Sequence, residues 1–182
     1  MKLISTCDIH GSPAWKTIRH GAFFSIYTEN QKLFHAAFGI GNYLWTHAEI
    51  VQKWYDDNIV EQIQPSNINI ACTLNRVFNG YYMPLFNVGK LRGGLYEEGG
   101  IFWADKRETE YDPLIGYHQI VGHTKTRSGI LVSNHYGHET SVTWVDCLDS
   151  EIEFLKWKYK SNSTMFSTIK TASGTWIKIP GG

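Results

Sequence analysis

Apolar and polar positions alternate differently in the two halves of the chain. The opening run "KLIST" is apolar or β-tolerant throughout and predicts a strand buried on both faces. Ser12 and Pro13 then open a helix-like stretch, "SPAWKTIRH", with serine as cap and proline at the first position. Gly21 interrupts it, and "FFSIYTENQ" reads as a second short helix. "KLFHAAFGI" and "NYLWTHA" are two strand-like runs separated by Gly41 and Asn42, a hairpin signal. "EIVQKWYDDNI" places Ile50, Val51, Trp54, Tyr55 and Ile59 at helical spacing. Pro65 breaks the chain, and "SNINIACTLNRVF" predicts an amphipathic helix capped by Ser66.

The segment from Gly80 to Gly100, with "KLRGGLYEEGG", is too glycine-rich for a regular element. Strand-like runs crowd the remainder of the chain: "GIFWA", "HQIVGHT", "GILVSN", "SVTWVDCL", "EIEFLKWKY" and "GTWIKI". Helices first and strands later predict an α/β fold passing into a β-rich part, a sheet-containing sandwich flanked by helices.

The 182 residues fit one domain, 1–182, with no linker or repeat to divide it. Lysine plus arginine balance aspartate plus glutamate at 17 each, which argues against a broad nucleic-acid or anionic-membrane surface. No apolar run approaches the roughly 20 residues of a membrane span, and the N-terminal apolar segment is too short for a signal peptide. The reading is therefore cytoplasmic. Cys7, Cys72 and Cys147 are scattered without CxxC spacing and fit reduced thiols.

Three histidines end predicted strands: His10 in "STCDIHG", His47 in "NYLWTHAEI" and His123 in "HQIVGHTKT". Loops leaving neighbouring strands converge at such ends, where open α/β sheets build their sites. Asp8 lies two positions before His10. Imidazole with carboxylate is a ligand set for Mn, Fe or Zn. The residues alone leave two readings open, a metal site or a set of hydrogen-bonded turn residues.

"DIHG", "LWTHAEI" and "QIVGHT", in that order, resemble the calcineurin-like metallophosphoesterases, in the branch related to serine/threonine protein phosphatases. "GLYEEGGIFWADKRE" is similar to the segment this branch carries between its last two histidine motifs. The resemblance implies a metallophosphoesterase αββα sandwich and hydrolysis of phosphoric monoesters at a two-metal centre. Asp8 and His10 match the pair holding the first metal, and His47 and His123 match ligands of the second. Arg107, after Trp103, matches a phosphate contact, with a surface arginine in a charged run as the competing reading. The implied substrate is a phosphoprotein, a nucleotide or a small phosphomonoester.

The chain departs from that family in its middle. No "GD" dipeptide occurs, so the "GDxxDR" segment with its bridging aspartate is missing, and the only "GN" is followed by Tyr43 rather than histidine. The interval from His10 to His47 is too short for two βα units, which need about 60 residues at roughly 30 each. This predicts an internal deletion near 16–24, a sandwich incomplete in its N-terminal half, and a truncated site with impaired activity. His20, His35 and Glu49 are the residues available to substitute, and Glu49 is read as charge complementing a helix N-terminus. An apolar strand left at an edge predicts weaker stability or a homodimer. The alternative is a non-catalytic binding or structural protein on a degenerate scaffold, engaging a partner through residues 80–100.

Overall fold

The computed structural model describes residues 29–30, 35–64, 69–135 and 140–147, with the backbone of three strands between 154 and 179. The expected strand "KLIST", the helix after Ser12, most of that in 23–31, the seam near 16–24, Asp8, His10, His20 and Ser66 lie outside the described residues.

Gly41, at φ 58°, makes the two-residue turn that joins strands β1 (Ala37–Ile40) and β2 (Tyr43–Thr46) in antiparallel register. The chain then winds into helix α1 over Gln52–Tyr55, Asp56–Val60 and Glu61–Ile63, the middle segment being π-helical. It buries Trp54 and Ile59 and stops at Gln64, whose φ of 48° is left-handed. Helix α2 (Ile70–Asn79) begins later than expected, because the Asn69 side chain accepts from the Ala71 amide (2.8 Å) and caps it there. Its apolar face buries Ile70, Leu74 and Val77. Two 3₁₀ turns, Met83–Phe86 and Lys90–Arg92, punctuate the glycine-rich segment.

"GIFWA" is not a strand. Residues 101–103 form a tight turn, with the Trp103 and Ala104 amides both donating to the Gly100 carbonyl (2.8 and 2.9 Å). A side chain at Gly100 would lie 2.3 Å from the Leu85 carbonyl oxygen, so only glycine allows the approach. Ile101 and Ala104 are buried in the core, which accounts for the apolar run without strand pairing.

Helix α3 (Lys106–Thr109) precedes β3 (His118–Lys125), β4 (Leu131–His135) and β5 (Thr140–Asp146). The sheet order is β1-β2-β3-β5-β4, with β2, β3 and β5 parallel and the two outer strands antiparallel to their neighbours. Strands β6 (Phe154–Lys158), β7 (Phe166–Lys170) and β8 (Trp176–Ile179) form a second, antiparallel sheet. Its middle strand, β7, has no counterpart among the runs expected from the sequence. The architecture is mixed α/β with few helices, as the pattern of elements predicts at that level.

Register sorts the core. Leu44, Gln119 and Val142 stand side by side on one face, as do Thr46, Val121 and Trp144. Leu44 packs there with Ile50, Trp54, Ile59, Leu74, Leu85 and Ile101. Tyr43, Trp45, Ile120 and Val145 form a separate cluster on the other face. Each such side chain stabilises the fold by about 1.5–3 kcal/mol when fully buried. Among the described residues no helix is long and apolar enough to cross a membrane.

Candidate functional site

The parallel strands β2, β3 and β5 bring their C-terminal ends to one edge of the sheet, where connecting loops leave room for a site. His47 directly follows β2, and its carbonyl accepts the Gly122 amide (3.0 Å), which extends the β2–β3 pairing by one step. The β3–β5 register then shifts between Val121 and Lys125. Inside that irregularity His123 adopts φ 58°, a left-handed conformation costly for a residue with a Cβ. Such bulges re-aim side chains beside active sites. Here the result is a meeting of two rings from sequence positions 76 residues apart: His47 Nε2 and His123 Nδ1 are 3.0 Å apart, with ring centroids separated by 4.9 Å.

Aromatic side chains from the 101–103 turn hold both rings. Phe102 lies 6.0 Å from the His47 ring, and Trp103 meets the His123 ring edge-on at 5.6 Å. Phe102 is itself stacked on Phe86 at 4.8 Å. The same segment runs on to Asp105, whose side chain caps α3 by accepting from the Arg107 amide (3.1 Å).

Arg107 curls back onto that carboxylate, with Nε donating to Asp105 Oδ1 (2.7 Å) and Nη2 donating to the Leu91 carbonyl (2.9 Å). Its side chain is 58% exposed. Arg92 reaches Asp105 from the opposite side (Nε to Oδ2, 2.9 Å) and donates through Nη2 to Thr124 Oγ1 (2.7 Å). Burial pushes the Asp105 carboxyl upward, but hydrogen bonds from Arg107 and the charges of both arginines outweigh this and hold it below its ordinary range. Of the charged run around Arg107, Lys106 lies 5.4 Å from the centre of the Trp144 ring. Glu108 is buried and accepts the Gly99 amide (2.8 Å).

Glu49 corrects an expectation. It does not supply charge to the N-terminus of α1, whose first turn carries no acidic residue. It is fully buried, receives the Trp144 indole N–H on Oε1, and lies 3.4 Å from the Thr124 hydroxyl that donates to it. Burial raises its pKa to about 7, against the lowering influence of its own backbone amide, the Trp144 hydrogen bond and the charge of Arg92. A chain of polar contacts therefore links Glu49 through Thr124 to Arg92, which is ion-paired with Asp105, itself bonded to the exposed Arg107.

Two imidazole nitrogens sharing one tetrahedral cation, at bond lengths near 2.05 Å, lie about 3.3 Å apart. His47 and His123 are within a few tenths of an ångström of that spacing, so the pair fits as part of a ligand set. No group of three or more His, Cys, Asp or Glu side chains able to hold a metal occurs among the described residues, so neither His35 nor Glu49 completes the set. Asp8 and His10 lie outside the described residues.

Of the candidates read from the sequence, the structure brings His47 and His123 together and leaves Arg107 exposed on Asp105. Arg92, Thr124, Asp105 and Trp144 were not singled out from the sequence, and their contacts arise between segments distant in sequence. The placement of "LRGG" beside a motif histidine has no spacing signature that periodicity could expose. No protein-family model, curated protein or solved structure matches this chain.

Proposed function

We propose that the edge formed by His47 and His123 is part of a divalent-metal centre for phosphoester chemistry, of the calcineurin-like metallophosphoesterase type. The observation that carries this reading is the convergence of two imidazoles to 3.0 Å, one just after β2 and one in the β3 bulge, with Arg92 bonded to the Thr124 hydroxyl next to His123 in sequence. His47 through Nε2 and His123 through Nδ1 would hold a Mn, Fe or Zn ion. Asp8 and His10 remain the candidates for the rest of the ligand shell. When bound, such an ion polarises a phosphoryl oxygen and lowers the pKa of a water nucleophile.

The chain's own residues supply recognition. Arg107 presents an exposed guanidinium whose two partners, Asp105 and the Leu91 carbonyl, leave part of its donor set available to a phosphate. Arg92, less exposed, backs it with a second positive charge fixed by Asp105 and Thr124. Phe102 and Trp103 pack against the imidazole rings and restrict their orientation. The substrate class is a phosphomonoester, borne by a protein, a nucleotide or a small molecule. No bridging aspartate or "GNH" motif occurs in the chain, so turnover is expected to be weak.

Calorimetric titration with Mn²⁺ tests the reading. Saturable binding lost in both His47→Ala and His123→Ala, together with slow hydrolysis of p-nitrophenyl phosphate that falls at least tenfold in Arg107→Ala, is the expected outcome. Binding indifferent to both histidine substitutions would overturn it.

A further inference from the structure

A cleft of about 400 Å³ opens between α1 and the 83–98 segment, lined by Lys53, Trp54, Asp57, Met83, Tyr96 and Glu98 among others. None of His47, His123, Arg92 or Arg107 lines it, so it is separate from the histidine pair. We infer that this cleft docks a short basic segment of a partner polypeptide that carries an apolar side chain.

Its walls are fixed before any partner arrives. The Trp54 indole N–H donates to the Pro84 carbonyl (3.3 Å), Asn58 Nδ2 to the Trp54 carbonyl (2.9 Å), and the Tyr82 hydroxyl to the Asn58 carbonyl (2.8 Å). On the far wall a parallel bridge pairs Gly89 with Tyr96. The helical wall is wound as π at Asp56–Val60, a form that occurs mostly as single turns within α-helices and is frequent at functional sites, and Asp57 and Asn58 on that turn line the cleft.

The chemistry of the lining selects the occupant. Met83 is 71% exposed and Tyr96 53%, large apolar groups held in water at the mouth of a formed cavity. A thioether adapts to varied apolar side chains, and a tyrosine ring accepts a cation on its face. The charged lining comprises three carboxylates, Asp57, Glu97 and Glu98, against the single ammonium of Lys53. That ammonium sits 2.6 Å from Asp57 and 3.6 Å from Glu98, so carboxylates on opposite walls already lie at the spacing that shares a cation. Lys90 pairs with Glu97 outside the cleft. Exposed pairs of this kind contribute little and yield readily to an incoming lysine or arginine.

Fluorescence anisotropy with a labelled pentapeptide, leucine flanked on each side by arginine and lysine, tests the inference. The counter-probe carries glutamate and aspartate in place of the basic residues. The expected result is saturable binding of the basic peptide that weakens as salt rises. It should fall by about tenfold or more in Asp57→Lys with Glu98→Lys, and again in Met83→Asp, with circular dichroism unchanged. His47→Ala should bind the peptide like the parent, which separates this site from the metal reading. Absence of binding, equal binding of the acidic peptide, or indifference to the charge reversals would overturn it. So would a dimer in sedimentation that Met83→Asp dissociates, since the cleft would then belong to a second copy of the chain.

Discussion

Glu49 carries a carboxyl group that water does not reach, held by an indole N–H and a threonine hydroxyl. Its folded pKa, raised to about 7 by burial, lies above the ordinary value of 4.5. The folded state therefore binds the proton more tightly than the unfolded chain. Stability is highest below the unfolded pKa and declines as pH rises towards the folded one, with no further change above it. At 1.36 kcal/mol per pH unit the loss over that window is on the order of 3 kcal/mol. Glu49→Gln keeps an acceptor for Trp144 and removes the ionisation. In chelator-treated protein, urea unfolding of this variant should be less dependent on pH between 4.5 and 7, and it should be more stable than the parent above pH 7. A pH profile parallel to the parent would contradict the assignment. His123 illustrates the other residue-scale cost, since its left-handed backbone is unfavourable by about 1–2 kcal/mol and persists because the surrounding contacts hold it.

Elements are tied to one another by a few buried side-chain bonds rather than by apolar contact alone. Gln119, on β3, turns its amide under the start of α1. Oε1 accepts the Ile50 amide (2.7 Å), and Nε2 donates to the Ile50 carbonyl (3.0 Å). Gln119 and Ile50 are both fully buried, so no water replaces these bonds if they are lost. Gln119→Leu conserves most of the volume and orphans the Ile50 N–H, at a cost of about 1–3 kcal/mol. Hydrogen exchange should then show faster exchange in the first turn of α1, with β3 and β5 still protected. Unaltered exchange at Gln52 to Tyr55 would show that the clamp contributes nothing to docking of the helix.

At the scale of the molecule, the five-stranded sheet ends at β1 among the described residues, and an open strand edge invites pairing with another chain. The protein blunts this edge with a side chain. Asn75, on α2, accepts the Ala37 amide through Oδ1 (3.0 Å) and donates through Nδ2 to the Ala37 carbonyl (2.7 Å). Both bonds stand where a further strand would form its ladder. Asn75→Ala exposes the pair, and sedimentation velocity should reveal association that grows with protein concentration. A variant as monodisperse as the parent would place the protection elsewhere.

Local order was legible in the sequence wherever neighbouring residues decide it. The Gly41–Asn42 hairpin, the amphipathic faces of α1 and α2, and the strands ending near His47 and His123 follow from turn chemistry and from periods of 3.6 and 2. "GIFWA" was not legible, because a short apolar run fits a buried turn as well as a strand and only the contact with Leu85 and Gly100 distinguishes them. That His47 directly follows a strand was determined by the sequence itself, whereas His123, expected at a strand end, lies inside β3, which runs on to Lys125. Their meeting at 3.0 Å, the burial of Glu49 against Trp144 and the fixing of Arg92 by Thr124 and Asp105 were decided by tertiary structure. The physical reason is that each depends on strand register and one bulge, and so on partners 13 to 95 residues apart, which no local pattern encodes.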